Sequence, residues 1–365
     1  MGIKLQNIIY QKIISFADLE GKIAAIDAPN IIFSLFNFTR KVSDGSSGEL
    51  ILDRTQRPIS HLYGLLYRVS FYYAKKIFPI FCFDGRVSEL KRIITKDKLN
   101  DFRFAQKWYQ DALQSKNYND AKQIALGKEF MWQNIINESK QLLGALGVPV
   151  IDSPSSAEAQ CTHFVKEGIA HFSNSQDYDS LIFGCPLLVQ NLSKSLRRKV
   201  QGKWQYTKIT PVSINLQKNL KKLGINQFQL VDLGLLVGMD YFPGIKGLGP
   251  KKSLDLIKKY QDIDTISTRE SNNFNFSALT PEIIKKVRKL FLFPDVNNSI
   301  NNLHWNYPHK SSVLKIICED HFLNRERVAS NLDKLSENYE RCKTYFEKKG
   351  TPRTIQLTLS RYQKS

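Results

Sequence analysis

Apolar positions along the chain fall into short unbroken runs, separated by longer stretches in which they recur at helical spacing. Residues 22–26 (KIAAI), 78–83 (FPIFCF), 148–151 (VPVI) and the neighbourhood of 169–172 read as short buried strands. Residues 61–76 (HLYGLLYRVSFYYAKK) and 129–146 read as helices, the second ending before Gly147, and 230–238 (LVDLGLLVG) reads as an apolar helix. Strands alternating with helices predict an α/β fold, a twisted and mostly parallel sheet flanked by helices. Two polar stretches, 43–56 (with DGSSGE) and 267–277 (with SNNFNFS), read as surface loops. The last fifteen residues (TPRTIQLTLSRYQKS) read as a mobile tail. No internal repeat is evident.

The residues just past each run matter more than the runs themselves. The first ends on Asp27 and the second on Asp84. The third leads into SPSSAEAQC at 153–161, whose one acid is Glu158, and the fourth leads to QDYD, with Asp177 and Asp179 two apart. A single Asp after a strand is ordinarily a turn or capping residue. Here several strand-like runs end near acids, at the edge where a parallel sheet gathers its loops. Carboxylates so gathered repel unless protonated or bridged by cations.

Two further segments suggest a phosphate-bearing ligand. In MDYFPGIKGLGPKKSLDLIKKY (239–260) glycines stand at 244, 247 and 249 before Pro250, Lys251 and Lys252. Such glycines let backbone approach a phosphate, and a proline-started helix offers free N–H groups. The pattern is that of a helix–hairpin–helix module holding a nucleic-acid backbone without reading bases. Residues 86–128 mix basic and aromatic side chains at helical spacing. They are either a solvated face or an element contacting a strand through Lys91, Lys98, Arg103 and Lys107.

Charge sharpens this picture. The chain has 365 residues, enough for one large domain with elaborations, and 53 Lys and Arg against 34 Asp and Glu give it a net charge of +19. That favours a polyanionic partner. An acidic pocket in so basic a protein is explained by divalent metal facing phosphate, and hard oxygen ligands suit Mg²⁺ or Mn²⁺. The 15 Tyr and 22 Phe argue against extensive disorder. The five scattered cysteines form no CxxC or zinc-like pair and read as reduced thiols inside a cell. No apolar stretch is long enough to span a bilayer, and MGIKLQNIIYQK lacks a signal-peptide core.

In this order and spacing MGI, AIDA, CFDG, SPSSAEAQC, QDYDSLIFG, VGMDYFPGIKGLGPKK and LFLFPDV resemble the flap endonucleases of the XPG-type structure-specific nuclease family. The resemblance covers nearly the whole chain. It implies a PIN-like core with a helical arch and a helix–hairpin–helix module, and cutting of 5′ flaps on branched DNA in replication and repair. Some 5′–3′ exonuclease activity is implied too. Asp27, Asp84, Glu158, Asp177, Asp179 and Asp240 match the family's metal-binding carboxylates. Gly2 matches an N-terminal glycine close to the site, Phe33 an aromatic that stacks on a base near the cut, and Arg40 a basic position on the strand path. Lys91 matches the arch lysine that stabilises the cleaved phosphate. Lys98 stands where the family usually has arginine, which keeps the charge but loses the bidentate fork. Gln356, Leu359 and Tyr362 match a peptide that binds the sliding clamp, PCNA, with Gln363 at its second aromatic position.

The expected reaction is phosphodiester hydrolysis with two Mg²⁺ ions, Mn²⁺ able to substitute, about 4 Å apart. The expected layout is one nuclease domain over 1–342, with an N-terminal region to about 100, an arch over about 86–130 and an internal region over about 131–260. The helix–hairpin–helix falls at about 230–260, and a tail over 343–365 carries the clamp peptide at 356–363. A monomer is expected, in the cytoplasm among archaeal nucleoid DNA, or in the nucleus if the source is eukaryotic. The absence of a lysine-rich extension favours the former. Two other classes stay open: a non-catalytic scaffold for branched DNA, and a PIN-type ribonuclease. Where the family usually reads SEAEA this chain reads SSAEA, so Ser156 replaces an acid beside Glu158. A looser metal site and a raised metal requirement are expected.

Overall fold

The computed structural model describes residues 3–36, 39–40, 49–85, 105, 107–126, 132–192, 195–200, 203–208, 210–299 and 303–349. Seven strands make the main sheet: β1 (Lys12–Ile13), β2 (Lys22–Asp27), β3 (Ile77–Phe83), β4 (Val150–Asp152), β5 (Phe172–Asn174), β6 (Leu187–Gln190) and β7 (Val212–Asn215). Their spatial order is β1-β7-β6-β5-β2-β3-β4. The pairs from β6 through β5, β2 and β3 to β4 are parallel, whereas β7 and β1 add antiparallel strands at one edge. Central strands β2 and β3 are buried almost throughout, which is why their sequences read as continuous apolar runs rather than alternation.

Register fixes the functional edge. Asp27 lies opposite Cys82 and Ile26 opposite Asn174, so Asp84 and Asp177 emerge just past the same rim. The helices Ala28–Phe36 and Ala157–Lys166 also begin there.

Two hydrophobic cores stand behind this edge. In the first, the helix Ser60–Ala74 packs on β3 and against the long C-terminal helix Arg325–Lys349. Trp305 closes it, its Nε1 donating to the Pro79 carbonyl at 2.7 Å. The second core joins the helices Gln227–Val237, Pro250–Tyr260 and Pro281–Leu292, with Phe183 and Phe291 rings 4.5 Å apart. Among the described residues no helix is long and apolar enough to cross a membrane.

Several expected boundaries move. The fourth strand is Phe172–Asn174 rather than 169–172, because the positive φ of Gly168 turns the chain and pairing starts when His171 N bonds the Ile23 carbonyl. The stretch 43–56 is not wholly a surface loop. Glu49–Leu50 pairs with Thr39–Arg40, and Asp53 is buried. The helix Ile263–Arg269 runs into 267–277, and Phe274 there packs on the second core. Residues 343–349, assigned to the tail, continue the helix Arg325–Lys349 because Phe346 is buried against Phe78, ring centroids 4.5 Å apart. Residues 350–365, with the remainder of the expected tail, lie outside the described residues.

Phe346→Ala therefore costs about 3–5 kcal/mol of stability in a denaturant titration. An unchanged midpoint would return 343–349 to the tail.

Candidate metal centre and nucleic-acid interface

Asp27 ends β2 in the core and is 3% exposed. Its Oδ2 accepts from Ser175 Oγ at 2.7 Å and its Oδ1 from the Asn30 amide at 3.2 Å. Asn30 is the local hub, since its Nδ2 donates to Asp177 Oδ2 at 2.9 Å and its Oδ1 accepts from the Gln176 amide at 3.1 Å. Ser175 Oγ also accepts from the Asp177 amide at 3.1 Å. Two neutral residues, Asn30 through its amide and side chain and Ser175 through its hydroxyl, thus link Asp27 to Asp177.

The opposite side is built on a helix start. Ser156 is the N-cap of Ala157–Lys166, its Oγ accepting from the Ala159 amide at 3.2 Å and donating to Glu158 Oε2 at 2.9 Å. The Ala157 amide donates to Asp84 Oδ1 at 2.8 Å. Free N–H groups of a first turn favour negative charge, so two acids are held where the helix dipole helps them. Gly85 permits this approach. A Cβ there would lie inside the Ser153 carbonyl, while the Gly85 amide bonds the Ser155 carbonyl at 2.7 Å. The segment after the helix Pro281–Leu292 buttresses the loop: Ser155 Oγ donates to the Asp295 carbonyl, and Gln160 exchanges two hydrogen bonds with Asn297.

Electrostatics links Asp27, Asp84, Glu158, Asp177 and Asp179 to one another, whereas Asp240 acts on Tyr241, its neighbour in sequence. Burial raises the Asp27 carboxyl to about 7; Asp84 and Asp177 add to the rise, while Ser175 and Asn30 oppose it. Glu158 is pushed well above the ordinary carboxylate range, first by burial and then by Asp27, Asp84 and Asp179. Tyr241 is raised by burial and then by Glu158, Asp84, Asp179 and Asp240. Asp179 Oδ1 accepts from the Ile3 amide at 2.8 Å, which brings Ile3 beside this acid. Among the described residues no group of three or more Asp, Glu, His or Cys side chains stands close enough together to hold an ion in this arrangement. Anionic oxygens crowded at one rim hold one another apart, and hard carboxylates are of the kind that suits divalent cations.

The glycines of 238–249, in the segment expected to form a helix–hairpin–helix, let backbone pass close to backbone. Gly244 has φ of +84°, and a Cβ there would sit 2.7 Å from the Gly238 amide, so two stretches of backbone meet where only glycine fits. Gly247 also has positive φ, while Gly249 caps the helix Pro250–Tyr260 with open space beside it. Lys251 and Lys252 are exposed on the first turn, Lys252 lying 5.2 Å from the Phe274 ring centre.

Phe33 is 57% exposed on the helix after Asp27, with the Trp132 ring edge-on at 6.0 Å. Arg40 lies in a short strand, and its side chain lies outside those described. Gly2, Lys91, Lys98, Arg103, Gln356, Leu359 and Tyr362 lie outside the described residues.

Sequence reasoning missed Asn30, Ser175 and Tyr241, each next to or near a motif acid but uncharged. It also missed a cavity of about 810 Å³ bordered by Arg54, Tyr63, Tyr67, Arg68 and Arg327. These residues come from three separated segments, so no local pattern announces it.

Comparison with known proteins now bears on this geometry. The XPG I-region pattern matches residues 147–240, from the turn before β4 to Asp240. The flap endonuclease 1 of Thermococcus onnurineus is 34% identical over 339 residues, spanning 92% of this chain and 95% of that protein. The chain belongs to the flap endonuclease family. Among solved structures, flap endonuclease-1 from Methanococcus jannaschii superposes with a TM-score of 0.70 at 26% identity, covering 93% of this chain and 99% of that one. Human GEN1 in complex with Holliday junction DNA shares the fold, with a TM-score of 0.64 at 18% identity over 93% of this chain and 78% of that one. This flap endonuclease is thus a structure-specific nuclease, a phosphodiester hydrolase of a metal-dependent family.

If like-charge repulsion governs the metal-free flap endonuclease, Glu158→Gln raises its melting temperature in chelator and abolishes the further rise that Mg²⁺ gives the wild type. A variant that melts lower in chelator and still responds to Mg²⁺ would show that Glu158 is an ordinary helix-start acid.

Proposed function

We propose that this nuclease removes 5′ flaps from branched DNA, with some 5′–3′ exonuclease activity, using Asp27, Asp84, Glu158, Asp177, Asp179 and Asp240 to hold Mg²⁺. The observation that carries this reading is the mutual electrostatic influence of carboxylates from four strand ends at one rim of a protein of net charge +19. Asp27, Asp84 and Glu158 mainly serve one ion, and Asp177, Asp179 and Asp240 the other, with Mn²⁺ able to replace either. When bound, two such ions supply an activated water and charge stabilisation for the leaving oxygen.

The chain's own residues do the remaining work. Asn30 and Ser175 hold Asp27 and Asp177 in place by neutral hydrogen bonds, so neither needs a cation partner from the protein. Gly244, Gly247 and Gly249, with Lys251 and Lys252, grip a duplex backbone without reading bases. Phe33, exposed one turn beyond Asn30, offers a base a stacking surface beside the acids. Gly2, Arg40 and Arg103 contact the strand, and Lys91, with Lys98 on the same arch, stabilises charge developing on the cleaved phosphate.

The wider reading has one nuclease domain, then a peptide at Gln356, Leu359 and Tyr362 that binds PCNA. It also has a monomer working among cytoplasmic nucleoid DNA. Gln363 in place of a second aromatic leaves the clamp pocket half filled and the binding weak.

A labelled 5′-flap duplex incubated with Mg²⁺ is cut near the junction, while single-stranded RNA of the same sequence is left intact. Binding without cutting at enzyme excess would favour the scaffold reading, and preferential RNA cleavage the ribonuclease reading.

Ser156 allows a sharper test. Ser156→Glu supplies the missing carboxylate but removes a cap worth about 1 kcal/mol. The Mg²⁺ titration of flap cutting shifts several-fold lower while stability falls slightly. An unchanged titration would mean that the absent acid is without consequence, and loss of cutting that the site depends on the Ser156 hydroxyl.

A further inference from the structure

Away from the carboxylate rim, a chain of buried hydrogen bonds crosses the first core. Its centre is His321, 3% exposed and held between two carboxylates: Nδ1 lies 3.0 Å from Asp53 Oδ2 and Nε2 lies 3.4 Å from Glu138 Oε1. The other oxygen of Glu138 lies 3.0 Å from His61 Nε2. A carboxylate only accepts, so a His321 that donates from Nδ1 to Asp53 and meets Glu138 as an ion pair through Nε2 is doubly protonated. His61 differs, because its Nδ1 is buried with no hydrogen-bond partner among the described residues, which suits a neutral ring.

Each link belongs to a different element. Asp53 organises the turn 53–57, accepting from the Thr55 amide and hydroxyl and from the Arg57 amide and Nε. Arg57 reaches on to the Asp320 carbonyl. Gln56 in that turn has φ of +67°, a left-handed strain for a residue with a side chain, and its carbonyl accepts from Tyr109 OH at 3.1 Å. Tyr109 is on helical residues 107–114, inside the stretch expected to form the arch. Glu138 lies on the helix Trp132–Ala145 and His61 at the start of Ser60–Ala74. The same turn presents Arg54 to the cavity that Arg68 and Arg327 also border.

We infer that His321 is a positioning residue for the DNA substrate. As an imidazolium it pins the strained 53–57 turn, and through Tyr109 helical residues 107–114, against the C-terminal wall of the cavity. It releases both when it loses its proton. The groups facing it are Asp53 and Arg57 from the turn, Glu138 and His61 from the two helices, and Tyr109 above. With His321 charged, Asp53, Glu138, Arg57 and His321 sum to zero; with His321 neutral, the core carries an unmatched carboxylate. Burial alone would lower His321, but the hydrogen bonds to Asp53 and Glu138 raise it, while Glu138 is drawn down to about 2 against its own burial by His321 and His61. A raised imidazole pKa contributes its stability at low pH and loses it as pH rises through the folded value.

The functional readout rests on the flap-DNA reading, whereas an NMR readout on free protein does not. Imidazole nitrogen spectra of the wild type at about pH 7 show one ring protonated at both nitrogens, assigned to His321 by its loss in His321→Gln. Flap-DNA affinity without divalent metal falls about ten-fold between about pH 6.5 and pH 9 in the wild type. In His321→Gln it starts weaker and stays flat, and KM rises far more than kcat falls. Should that variant fail to fold, Glu138→Gln, which keeps an acceptor and removes the charge, flattens the profile equally. A neutral His321 at pH 7, or variants that track the wild-type pH profile, would overturn the assignment. If the His321 ring is doubly protonated but no nucleic acid binds, the flap-DNA reading fails; the positioning role then has no substrate and falls with it.

Discussion

Carboxylates gathered at one rim of a parallel sheet repel one another, and much of the fold around that rim holds them there against the repulsion. The sheet supplies the convergence: β2, β3 and β5 run parallel in tight register, so chain leaving their ends emerges at one place. The helix Ala157–Lys166 supplies compensation without cations, its first amides and the Ser156 cap meeting Asp84 and Glu158. Asn30 and Ser175 do the same for Asp27 and Asp177 with neutral donors. Repulsion is thereby reduced but not cancelled, which leaves room for divalent cations to complete the balance.

In the proposed function, the rest of the molecule brings phosphate to that rim. Glycines at 244 and 247 let backbone pass where a side chain would collide or strain, and Gly249 opens the helix that carries Lys251 and Lys252. Arg54, Arg68 and Arg327 border a second, aromatic-lined recess. Basic surfaces flanking an acidic pocket keep anionic substrate near and let it engage the acids only across bound metal.

Much of this was legible in the residues. The buried strands declared themselves because central parallel strands are apolar on both faces, and the acids just past β2, β3 and β5 stood out against those runs. Ser156 was read as a missing ligand, and it is also an N-cap that clamps Glu158. Asn30, Ser175 and Tyr241 stayed hidden because an uncharged residue near a motif carries no signal of its own until the fold turns it toward a carboxylate. Phe346 was lost to the tail because the charged EKKG after it outweighed a single aromatic, whose burial depends on Phe78, far away in sequence. Asp53, in a polar stretch that looked like solvent-facing loop, is buried through His321, a partner 268 residues on.

The central claim is that the clustered acids are a divalent-metal centre, and counting the ions tests it most directly. Mn²⁺ titrated into the protein with a non-cleavable 5′-flap duplex, followed by electron paramagnetic resonance, should show two bound ions with spin coupling between them. Asp27→Asn and Asp179→Asn should each break the coupled signal. A protein that holds the flap and binds no Mn²⁺, or binds it identically in both variants, would contradict the account.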